Sequence, residues 1–180
     1  MTKEKTFYLC VSGILLAFLI ICSQLTIPLP LIPLTLQTLA VGLIATLLPF
    51  RYALETICAY LLLGLLGLPV FANFKGGIAV FLSPTGGYLL GFIVYIIVTK
   101  CLLTRGNNLF WMTFANLSGA FLQLICGSLG LLLLTKGSFM TAFLTGTLPF
   151  LLPGVLKVGL VVLIAQALRP SLTKYSNAAK

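Results

Sequence analysis

From Leu109 to Leu134 not one side chain carries a charge, and the stretch from Thr6 to Leu25 is equally bare. Apolar runs of about 20 residues match the ~30 Å hydrocarbon core of a bilayer. Of the 180 residues, 60% are hydrophobic and 7% are charged. That leaves too little polar surface to coat a water-soluble core. The chain is therefore expected to be an all-α integral membrane protein, because a helix satisfies its own backbone groups in lipid. Its length allows about six spans with short connectors. They are expected at Thr6–Leu25, Thr35–Leu48, Ala53–Leu66, Gly87–Leu103, Leu109–Leu134 and Pro153–Leu168. No convincing second domain is visible, so 1–180 reads as a single six-helix transmembrane domain. The first run lacks a small-residue cleavage site and more spans follow it, so it reads as a retained helix rather than a signal peptide.

Eleven basic residues against two acidic ones give a net charge of +9. Under the six-span layout Lys3, Lys5, Arg51, Lys100, Arg105, Arg169, Lys174 and Lys180 fall on one side, and only Lys75 and Lys136 on the other. By the positive-inside rule both termini are expected in the cytoplasm. The charge is thus read as membrane orientation, not as nucleic-acid contact. The cysteines (Cys10, Cys22, Cys58, Cys101 and Cys126) sit in or beside apolar runs without a CxxC, and there is no histidine. No metal set is expected. With no nucleophile–base pair and no P-loop, the chain is not expected to be an enzyme or to hydrolyse ATP.

The connectors on the sparsely charged side carry the unusual chemistry. Pro28, Pro30 and Pro33 force an extended connector after the first span. Thr35, Gln37 and Thr38 open the second span, either as caps or as hydrogen-bonding groups for a ligand. Between the third and fourth spans, 69–86 is rich in glycine, amide and hydroxyl groups, yet Val70, Phe71, Phe74, Val80 and Phe81 need burial. It is expected to be a structured cap over a cavity, with Gly76, Gly77, Gly86 and Gly87 as candidate hinges. Lys136–Leu152 is expected to be a second long loop. Asn116, Ser118 and Gln123 lie along the fifth span and are expected to hydrogen bond to neighbouring helices. Gly13 and Ala17, four residues apart, allow close helix approach, either within this chain or to a partner membrane subunit. Glu55 lies near Arg51 and reads as its structural partner.

Lys157 is the basic residue left inside a span. Pro153 suits the first turn of a helix, which would put Lys157 about one turn deeper. The acids Glu4 and Glu55 both belong to the opposite end. Three outcomes are open: Lys157 snorkels to the interface, sheds its proton in the apolar setting, or meets a ligand carboxylate.

The run Gly-Leu-Pro-Val-Phe-Ala (67–72), followed by Pro-Thr-Gly-Gly-Tyr-Leu-Leu-Gly-Phe (84–92), resembles the BioY family, the biotin-specific substrate-binding components of energy-coupling-factor vitamin importers. Pro-Leu-Thr-Leu-Gln-Thr-Leu (33–39) is similar to another stretch of that family, in the same order and spacing. The resemblance implies a high-affinity biotin-binding subunit that captures its ligand from outside. It implies work with a transmembrane coupling subunit and two ATPase subunits, or alone as a homo-oligomer. It implies a partner-docking role for the small-residue face at Gly13 and Ala17. It also implies that Lys157 contacts substrate, here through the carboxylate. Asn73, Gln37 and Tyr88 are the candidate ureido or tail partners, and Thr35, Phe71 and Thr85 complete the candidate site, with Phe74 as a further apolar wall. The family pattern has an aspartate three residues before that lysine, where this chain has Gly154, so no acidic contact carries over. Another small vitamin, or a ligand-free structural subunit, remains the alternative.

Overall fold

The computed structural model describes residues 3–28, 32–135 and 138–178. Lys136, Lys180 and Pro30 lie outside the described residues, and with them the side expected for those two lysines. In chain order the elements are α1 (Lys3–Gln24), β1 (Thr26–Ile27), β2 (Leu34–Thr35), α2 (Gln37–Leu47), α3 (Phe50–Leu65), a 3-10 turn (Ala72–Phe74), α4 (Ile78–Phe81), α5 (Gly86–Leu103), α6 (Leu109–Thr135), α7 (Phe139–Gly146) and α8 (Leu148–Ala178). Among the described residues, four helices are long and apolar enough to cross a membrane: α1, α5, α6 and α8.

The second and third expected spans differ from the rest. Helix α2 has only 11 residues, about 16 Å at 1.5 Å per residue, and α3 has 16. Helix α2 starts two residues later than expected, because Thr35 belongs to a strand and Leu36 bends the chain ahead of the helix. Leu34 and Thr35 pair antiparallel with Ile27 and Thr26, closing the proline connector into a hairpin. What α2 lacks in length it makes up in centrality. Residues 39 to 46 are all buried, and α2 packs against α1, α3, α5, α6 and α8.

Close backbone approach shapes the pair α5 and α6. A Cβ at Gly87 would lie 2.8 Å from the Cys126 carbonyl oxygen and 2.9 Å from the Gly130 Cα. Gly87 is therefore packed into a helix interface that leaves no space for a side chain. Inside the bundle Asn116 donates to Thr46 Oγ1 (3.0 Å) and accepts from the Tyr95 hydroxyl (3.1 Å), crossing three helices as its place in an uncharged run suggested. Outward, Ile14, Ile97, Leu133 and Leu163 are exposed, as suits a lipid-facing surface.

The segment expected as a loop at Lys136–Leu152 is mostly helical. Ser138 caps α7 by accepting from the Thr141 N–H (3.2 Å). Helix α8 then starts at Leu148, ahead of Pro153, which lies inside it. Pro149 occupies the first turn, where its missing N–H costs nothing. Pro153 forgoes only the bond to the carbonyl four residues back. Lys157 is thus nine residues into its helix rather than one turn from its start.

Candidate functional site

Where α5 begins, α2 begins and α3 has just ended, the bundle encloses about 910 Å³ of empty space, its open mouth included. Thr35, Gln37, Phe71, Asn73, Thr85, Tyr88 and Lys157 all line it. Residues scattered over 35 to 157 meet there because three chain reversals (the hairpin, the 69–86 segment and α7) lie at the same end of the bundle. Arg51, Lys100, Arg105 and Arg169 belong to the other end. There Lys100 donates to the Leu48 carbonyl and Arg169 to Asn107 (2.9 Å). Arg51 and Glu55 form an exposed ion pair at 2.8 Å.

One hydrogen-bonded chain builds the wall behind α2. Thr35 Oγ1 donates to Gln37 Oε1 (2.9 Å), Gln37 Nε2 donates to the Tyr60 hydroxyl (2.7 Å), and Tyr60 donates to the Val70 carbonyl (3.0 Å). Ser23 Oγ reaches the same carbonyl at 2.6 Å. Helices α1, α2 and α3 are thereby tied to the start of the cap segment. Gln37 thus anchors its amide in this wall, with one Nε2 hydrogen and one Oε1 lone pair outside these two bonds.

Phe71 is 2% exposed. Its ring sits edge-on to Tyr60 and Phe81, in space that a Cβ at Gly64 would occupy. Phe74, expected beside it, points away and is 71% exposed, so it forms no wall. The backbone explains the difference. Asn73 (φ 58°) and Phe74 (φ 55°) are both left-handed, which turns the chain between the two rings. Asn73 tolerates this conformation better than most residues. Gln24 holds the turn by donating to the Phe71 carbonyl (3.2 Å) and accepting from the Phe74 N–H (2.9 Å). Asn73 sits at the mouth, exposed, with Oδ1 accepting from Thr26 Oγ1 (3.0 Å). Thr85 Oγ1 pairs with Ser83 Oγ (2.8 Å).

Tyr88 is buried. Its ring lies where a Cβ at Gly127 would be, and its hydroxyl donates to the Gly146 carbonyl (2.8 Å). Lys157 Nζ donates to the Thr35 carbonyl (2.6 Å) and to Thr38 Oγ1 (3.2 Å). Neutral oxygens therefore hold two of its three N–H groups. No acidic residue lines the cavity, while Lys75 lies at its mouth. The cavity can bind an anionic or acceptor-rich guest: an apolar barrel of Phe71, Val80, Leu89, Phe92 and Phe150 with a cation inside.

Gln123 also lines this cavity, and the sequence suggested only an interhelical role for it. An amide inside a run free of charge is the signal that could have marked it. The Gly13 and Ala17 face is turned outward, and a Cβ at Gly13 would have no neighbour within 4 Å. Among the described residues, that pair does not serve packing within this chain.

Residues 1–174 match the BioY family model. The chain is 37% identical over 173 residues to biotin transporter BioY2 of Lactococcus lactis, covering 93% of each protein. It is 36% identical over 160 residues to biotin transporter BioY of Thermotoga maritima, covering 88% of this chain and 93% of that one. Among solved structures, it superposes on the S-component for biotin from an ECF-type ABC transporter with a TM-score of 0.88 at 28% identity, covering 94% of each chain.

Proposed function

This chain belongs to the BioY family, and we propose that it is the biotin-binding membrane subunit of a vitamin importer. As a member of a transporter family it is a multi-pass membrane protein and not an enzyme. The observation that carries the reading is the cavity itself. It gathers Thr35, Gln37, Phe71, Asn73, Thr85, Tyr88 and Lys157 around an apolar barrel without one carboxylate. Biotin offers an apolar thiophane for the barrel, a ureido ring that donates and accepts, and a carboxylate for a cation. In this reading the Lys157 N–H not spent on Thr35 and Thr38 takes the ligand carboxylate. Asn73 meets the guest at the mouth, and Tyr88 holds the wall beside it.

Six spans, with both termini in the cytoplasm of a cell-membrane protein, follow from the distribution of basic residues. The cavity then opens outside, and the 69–86 segment is its extracellular cap. ATP hydrolysis falls to two ATPase subunits, coupled through a transmembrane partner that docks on the outward face at Gly13 and Ala17. Work without them, as a homo-oligomer, is the other form of the same reading.

Equilibrium binding of biotin to the purified, detergent-solubilised chain tests this, beside biotin methyl ester and Lys157→Met. Tight binding of the acid, weak binding of the ester and loss of that difference in Lys157→Met are expected. A difference that survives Lys157→Met moves the carboxylate to Lys75. An ester as tight as the acid leaves Lys157 to a ligand carbonyl. No binding by the folded wild type overturns the reading.

A further inference from the structure

Gln123 lies midway along α6 and is 2% exposed. Its Nε2 donates to the Tyr88 backbone carbonyl at 3.1 Å. Its Oε1 is buried and has no hydrogen-bond partner among the described residues. The amide cannot be turned over to relieve this, because a flip would set Oε1 against the Tyr88 carbonyl oxygen, acceptor to acceptor. The bond to Tyr88 therefore fixes which atom is left over, and the atom left over is an acceptor. Gln123 lines both the main cavity and a smaller void that shares its wall with Gly154 and Lys157. Buried acceptors without a donor are uncommon and costly, and each one calls for a cause.

We propose that Gln123 Oε1 is a ligand contact that accepts a ring N–H of the bound molecule. The inference rests on the transport reading above, in which the ligand carries a cyclic urea. The remaining polar atoms of the wall point to the same role. Gln37 Oε1 already accepts from Thr35 and its Nε2 donates to Tyr60, Asn73 Oδ1 accepts from Thr26 at the mouth, and Lys157 can only donate, so among the described residues Gln123 Oε1 is the buried acceptor of this wall left without a donor. A ligand N–H that reached this depth without an acceptor would be stranded, so Gln123 selects for a guest with a donor there.

Titration calorimetry on wild type and Gln123→Met, each with biotin and with biotin methylated at one or the other ureido nitrogen, decides it. Gln123→Met should weaken biotin on the order of tenfold to a hundredfold. One N-methyl form should bind wild type comparably weakly and lose nothing further in the variant. Equal biotin affinity in wild type and folded Gln123→Met overturns the contact. So does an equal loss for biotin and both N-methyl forms, which marks a structural role. Should Gln123→Met not fold, wild type alone decides: equal affinity for all three ligands overturns the contact, and a selective loss at one nitrogen supports it. A wild type that binds no biotin overturns the transport reading and this contact together.

Discussion

The Lys157 ammonium and the Thr35 carbonyl, 122 residues apart, meet at 2.6 Å. This bond joins the interior of α8 to the end of the hairpin that opens α2. It answers how a lone cation sits in an apolar helix: a backbone carbonyl and the Thr38 hydroxyl share its donors. Lys157→Met should weaken biotin roughly tenfold to a hundredfold, as loss of a charged hydrogen bond does. It should lower thermal stability less, because Thr35 is only partly buried. Calorimetry and thermal unfolding of the same sample separate the two.

Tyr60→Phe strands the Gln37 amide and takes one of two donors from the Val70 carbonyl. Stability should fall by about 1–3 kcal/mol, the usual cost of a buried group left without its partner. Affinity should fall too, since Gln37 and Phe71 lose their support. An unchanged melting temperature in detergent would show that this wall is not structural.

Asn73 combines a side chain at the mouth with a left-handed backbone. Asn73→Gly keeps the backbone and removes the amide, while Asn73→Ala removes the amide and adds strain of about 1 kcal/mol. Both should lose affinity if the amide meets the ligand; both forgo the Thr26 bond, and Asn73→Ala should lose the more stability. Equal affinity of Asn73→Gly and wild type would confine Asn73 to its turn.

Gly127→Ala puts a methyl group into the Tyr88 ring, 2.1 Å from its carbons. The ring must move, and the Gln123 bond to the Tyr88 carbonyl moves with it. Overpacking of this kind costs about 1–3 kcal/mol, and biotin affinity should drop with it.

A Cβ at Gly154 meets nothing within 4 Å, so Gly154→Asp should fold. Its carboxylate would lie three residues before Lys157 on the same helix, near enough to pair with it. The acid form of biotin should then lose its advantage over the methyl ester. An undiminished advantage would place the ligand carboxylate elsewhere.

Much of this protein is legible in its residues because solvation is a local property. An uncharged run must be helical and buried in lipid or protein, wherever the rest of the chain goes. A lysine inside such a run must find oxygen. That reasoning located the long helices, the polar crossing at Asn116 and the lone lysine at 157, while the family resemblance supplied most of the other candidate cavity residues. It did not see the brevity of α2, because Thr26–Ile27 and Leu34–Thr35 pair ahead of it and that pairing depends on both strands. Nor did it see that α8 begins ahead of Pro153. Prolines at 149 and 153 each fit a helix start, and only the turn after α7 decides between them. Phe71 and Phe74 look alike in the sequence, yet one ring is buried against Tyr60 and the other faces out. The left-handed backbone at Asn73 and the grip of Gln24 made that choice. The same holds for Gln123, whose free oxygen exists only because the Tyr88 carbonyl comes within reach of its nitrogen. Composition and spacing state what each segment must bury. Which face meets the cavity is set by contacts between residues tens of positions apart, and only the assembled bundle supplies those.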